Sequence, residues 1–103
     1  NQHAAPSRQK ELWIRNKSID KEIRKLTSQI ERVEKEIEID EQEIASYDTL
    51  LIDPVKNQKI IAEDDVYKKY EDVKRSHEGH MIEWEKLQED LDKYQSEKEK
   101  LNN

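Results

Sequence analysis

Between Pro6 and Pro54 the chain has neither proline nor glycine, and apolar side chains recur there at alternating spacings of three and four. The slots run Leu12, Asn16, Ile19, Ile23, Leu26, Ile30, Val33, Ile37, Asp40, Ile44, Tyr47 and Leu51. Ten of these twelve are apolar, against five of the 28 positions between them. That contrast predicts one long helix with a single apolar stripe, the seam of a coiled coil. A second series runs Val66, Tyr70, Val73, His77, His80, Trp84, Leu87, Leu91, Tyr94, Lys98 and Leu101, with eight of eleven slots apolar against three of the 25 between them. The chain is therefore read as two long helices, each with one stripe that needs a partner.

The boundaries follow from local signals. Residues 1–6 read as a disordered leader, and Ser7 behind Pro6 can cap a first helix assigned to 7–52. Pro54 ends it, because proline disfavours helical geometry at Asp53 and brings no amide proton. The connector is assigned to 53–65 and the second helix to 66–103. Within the connector, Asp53-Pro54 can open a short helical piece, or Glu63, Asp64 and Asp65 can form an acidic helix start; both can hold in succession. Gly79 falls inside the second helix and weakens it by about 1 kcal/mol relative to alanine.

Folding the chain back at the connector matches the two stripes when facing residue numbers total 117. This register sets Tyr47 by Tyr70, Val33 by Trp84, Ile30 by Leu87 and Leu26 by Leu91. It also sets Asp40 by His77, the polar intruder of each stripe beside that of the other. A buried carboxylate is costly without a donor, and an imidazole supplies one. The fold expected is thus all-α, an antiparallel two-helix coiled-coil hairpin with Asp40 and His77 as a polar seam layer. A parallel homodimer of the first helix would place Asp40 on its own copy and Glu36 by Glu41. Its N-terminal half would still suit a parallel contact, because Asn16 sits at an a position and Arg15 meets Asp20. The hairpin is accordingly expected to dimerise through its open end.

Composition narrows the role. With 43% charged and 32% hydrophobic residues, one glycine and no phenylalanine, the chain is too poor in apolar groups for an ordinary globular core, but rich enough for a two-stranded seam. The net charge of −6, shared between both helices, opposes nucleic acid and anionic membrane as partners. The basic cluster Lys68, Lys69, Lys74 and Arg75 is broken by Glu71 and Asp72 and reads as a solvated helix face. No cysteine is present and no apolar run exceeds three residues, so disulfides, thiolate sites and a membrane-spanning helix are not expected. An intracellular location, cytoplasmic or nuclear, fits these features. The chain opens on Asn1 rather than methionine, which reads as a segment of a longer protein or one with its leader removed.

Candidate chemistry is sparse. His77 and His80 share a helix face, but metal sites want three or four ligands, so a polar seam layer is the reading and no metal or other cofactor is expected. There is no phosphate-binding glycine loop and no nucleophile with a partnered base, hence no enzyme is expected. Two apolar groups lie off the seam. At the open end, Trp13 and Ile14 flank Leu12 beside Asn16; at the tip, Ile52, Val55, Ile60 and Ile61 crowd a connector that would ordinarily be polar. Exposed clusters of this kind on a charged helical pair mark contact sites. The competing readings are that the tip residues pack on one another and that Trp13 packs against Leu101. The expected function is a structural protein–protein interaction module, a coiled-coil spacer or oligomerisation segment of a larger scaffold or complex that binds a protein partner or its own copy. The alternative is an inserted helical arm or acidic-tip hairpin that docks onto an enzyme or a nucleic-acid machine.

Overall fold

A computed structural model of the protein describes residues 7–103; the leader expected at 1–6 lies outside the described residues. Three helices account for nearly all of it: α1 at Arg8–Ile52, α2 at Gln58–Glu63 and α3 at Val66–Asn102. Helix α1 starts on a capped turn, in which Ser7 Oγ accepts the Lys10 amide proton at 3.2 Å and the Ser7 carbonyl accepts that of Glu11 at 3.0 Å. Within it Thr27, Ser46 and Thr49 each donate to the carbonyl four residues earlier, which satisfies their hydroxyls inside the helix. It ends at Ile52, two residues before Pro54.

The connector holds itself together through polar bonds. Asp53 Oδ1 accepts the Lys56 amide at 3.1 Å, and the Asn57 side-chain amide donates to the carbonyls of Leu50 and Asp53 at 3.0 and 3.1 Å. One turn later the Asp64 amide closes α2 on the Ile60 carbonyl, and Asp65 takes the left-handed conformation with φ of 51°. Asp65 then serves as the first carbonyl of α3, accepting the Lys69 amide at 3.1 Å. A left-handed residue breaks the helix sharply, and aspartate is among the few non-glycine residues that tolerate the position.

The chain divides into two compact units, one made of the chain up to Ile30 with Lys86–Asn103, the other of Glu31–Glu85. In each, α1 and α3 pack against each other in opposite directions. In the first unit Asn16 meets Asn102 and Asp20 meets Lys98, at 3.1 and 2.6 Å. In the second, a helical hairpin with its own turn, Glu34 meets Trp84 and Asp48 meets Tyr70, at 3.3 and 2.6 Å. Tyr47 and Tyr70 form an edge-on ring pair with centroids 6.3 Å apart, at the register expected from the stripes.

Burial follows the stripes closely. All twelve slots of the α1 series and all eleven of the α3 series are buried or half-buried. Ile19, Leu26 and Ile30 form the buried line of the first unit, and Val33, Ile61 and Val66 that of the second. Each such aliphatic side chain contributes about 1.5–3 kcal/mol relative to leaving it in water. Gly79 is helical, and a methyl group added there would meet no atom within 4 Å.

Candidate functional site

Three constellations stand apart from the plain seam, and each is built from a different local rule. The first is the polar layer of the Glu31–Glu85 unit. Asp40 occupies a core slot and is 8% exposed. Its partner is His80 rather than the expected His77: Nδ1 of His80 lies 2.6 Å from Asp40 Oδ2, and Ser76 Oγ lies 3.3 Å from both carboxylate oxygens. Nε2 of His80 lies 2.9 Å from Glu36. Both ring nitrogens thus face carboxylates, and donating from both requires the imidazolium form. His77 turns to the flank, where its Nε2 is 3.2 Å from Glu41.

The expected Asp40–His77 facing pair is therefore replaced by a cluster one turn deeper. A side chain at a seam slot enters the space between opposing residues rather than meeting one head-on, so Asp40 reaches Ser76 and His80 on either side of its level. Arg32 bridges Glu36 and Glu83, reaching them at 2.9 and 3.4 Å. The hydrogen bond to Glu36, with the attraction of that carboxylate, raises the Arg32 guanidinium above its ordinary value. Among the described residues no three His, Asp or Glu side chains converge with metal-holding geometry. His80 belonged to the polar layer expected from the sequence, whereas Ser76 and Glu36 were not singled out as members of it.

The second constellation is the open end of the first unit. Leu12 is half-buried and lines a groove with Arg15 and Leu101. Trp13 faces outward, 61% exposed, with the Lys17 ammonium 5.0 Å above its ring. It does not line the groove that holds Leu101. Ile14 is exposed beside it. Asn16 is half-buried; its amide donates to the Leu12 carbonyl at 2.9 Å and its oxygen accepts from Asn102 at 3.1 Å. Asp20 is bound to Lys98 at 2.6 Å. Asn16 and Asp20, two of the three groups that would have oriented a parallel contact between chains, are thus engaged within one chain.

The third is the tip of the second unit. Its four expected contact residues separate into two sets. Ile61 is buried and, with Val66, closes the turn from inside. Ile52 and Val55 are 83% and 82% exposed, and Ile60 is exposed as well. The connector's own hydrogen bonds fix the backbone that displays them. Ile39 and Ile82 are also exposed. Among the described residues no helix is long and apolar enough to cross a membrane. Comparisons with protein-family models, curated proteins and solved structures find no match for this chain.

Proposed function

We propose that the chain is a structural protein–protein interaction module: an antiparallel coiled-coil hairpin that spaces and presents apolar contact surfaces within a larger assembly. The observation that carries this reading is the exposure of Ile52 and Val55, at 83% and 82%, on a turn whose backbone is tied down by hydrogen bonds. A turn that needed apolar residues only to close itself would bury them, as it does Ile61. Trp13 repeats the pattern at the other candidate surface, since an indole 61% exposed is a large apolar area to leave in water. The chemistry of the interior is structural, with every polar group of the Asp40 layer bonded to a neighbour, and no catalytic role is assigned. The partner class is protein, or a second copy, rather than nucleic acid or membrane.

The tip displays more apolar surface than the open end, which also suits the second reading, a helical arm that docks by its tip onto an enzyme or a nucleic-acid machine. A photo-crosslinking amino acid at position 55, and separately at position 13, tests the module in cells that produce the full protein. Crosslinks to another protein or to a second copy are expected from at least one position. Silence from both, with an exposed control at Ile82 equally silent, would refute a contact role for either surface.

A further inference from the structure

The charge that is shared evenly between the helices is not shared evenly between the folded units. Glu31–Glu85 contains eight lysines and arginines against seventeen aspartates and glutamates, whereas the remaining residues contain eleven against eight. One unit is strongly acidic and the other mildly basic, although the whole chain is at −6. The two exposed apolar surfaces fall on opposite sides of this division. Trp13 and Ile14 sit among Arg8, Lys10, Arg15 and Lys17, with Glu11 the one acid between Arg8 and Lys17. Ile52 and Val55 belong to the acidic unit, whose turn carries Asp53, Glu63, Asp64 and Asp65 against Lys56 and Lys59.

We infer that the Trp13 surface of one copy docks on the Ile52–Val55 tip of a second copy, a head-to-tail contact between unlike surfaces; this deepens the interaction-module reading and rests on it. Charge decides between the possible pairings. Two Trp13 ends brought together would oppose lysine to lysine, and two tips would oppose acid to acid, each a repulsion that favours neither contact. A Trp13 end on a tip brings opposite signs around an apolar centre, the arrangement in which a rim of charges orients and an aromatic anchor binds. Symmetric dimerisation at the open end is disfavoured on the same grounds, and Asn16 and Asp20, which would have oriented it, are already bonded within the chain. A contact between unlike surfaces leaves one of each free on every pair, so association continues beyond the dimer unless the geometry closes a ring.

Sedimentation equilibrium of the full chain tests this with two surface variants, Trp13→Ala and Val55→Asp, both at exposed positions. The wild type is expected to grow past the dimer with concentration at low salt and to fall back about tenfold in affinity as salt is raised to molar levels. Each variant alone should associate roughly thirtyfold more weakly. An equimolar mixture of the two should recover a single interface, between the intact tip of one and the intact Trp13 of the other, and stop at a one-to-one pair. Circular dichroism of each variant confirms that helicity is kept. The inference is overturned if the mixture shows no recovery, if Val55→Asp associates like the wild type, or if the wild type is monomeric at low salt. In the last case crosslinks from positions 13 and 55 to other proteins would still uphold the interaction module, so the two ideas fail separately.

Discussion

Replacing His80 with leucine should destabilise the hairpin, although it puts an apolar residue into an apolar seam. Asp40 is 8% exposed, and without His80 its remaining partner among the described residues is the Ser76 hydroxyl at 3.3 Å. Losing the charge-assisted bond costs about 1.5–3 kcal/mol, and the new leucine, in a slot that leaves the histidine side chain 27% exposed, returns about 1 kcal/mol. The net for His80→Leu is a loss of about 0.5–2 kcal/mol. Asp40→Leu behaves differently, because His80 keeps Glu36 at 2.9 Å and can turn further into water. That change should be neutral or stabilise by about 1 kcal/mol. With both replaced, two leucines share a layer and the hairpin gains about 1–2 kcal/mol, since a partly buried polar pair exchanged for matched apolar groups is often stabilising. The two effects are then non-additive by about 0.5–4 kcal/mol, centred near 2. Urea denaturation followed by circular dichroism of the four proteins measures the cycle. If His80→Leu cost under about 0.5 kcal/mol and the two changes simply added, Asp40 would not depend on His80 and the layer as described would be wrong.

Gly79→Ala should stabilise by about 0.5–1 kcal/mol in the same assay, because the position is helical and a methyl group meets nothing there; a loss would mean the glycine is needed for a backbone shift. Alkaline pH should weaken the hairpin through Tyr70, whose hydroxyl donates to Asp48 at 2.6 Å and is thereby held above the ordinary phenol value. A group with a raised folded value contributes fully below its unfolded value, about 10, and that contribution is lost as pH rises through the folded one. Melting temperatures between about pH 9 and 11.5 should therefore fall more steeply for the wild type than for Tyr70→Phe, and equal slopes would remove Tyr70 from the account.

The long-range pattern was legible in the sequence because a two-stranded packing has one rule, and that rule leaves a mark every three or four residues. Every slot named from spacing alone is at least half-covered, including the polar ones Asn16, Asp40, His77 and Lys98. What spacing could not deliver was the identity of side-chain partners. His77 and His80 stand one turn apart on the same face, both within reach of an acid on α1, and a register in whole residues cannot say which ring rotates inward. Asp40 chose the histidine with a second carboxylate behind it, Glu36, itself held by Arg32. The tip was ambiguous for a related reason. Periodicity stops at Pro54, and only the hydrogen-bonded turn around Asp53 and Asn57 decides that Ile61 faces inward while Ile52 and Val55 face water. The division of charge escaped a helix-by-helix count, because the acidic run 31–85 takes in the end of α1, the turn and the start of α3.

The opposed course of α1 and α3 through the Glu31–Glu85 hairpin carries a consequence for how this protein can change length. Its facing residues are counted outward from the turn, so any residue added to α1 between Asp40 and the turn must be answered by one added to α3 between the turn and Ser76. A lone insertion of four in α1 would slide the carboxylate past His80 toward Trp84 and strand it against an indole. A balanced addition of seven on each arm restores every layer. Descendants of this gene should therefore differ by paired heptads, two distant changes in the DNA that are each harmful alone and tolerated only together.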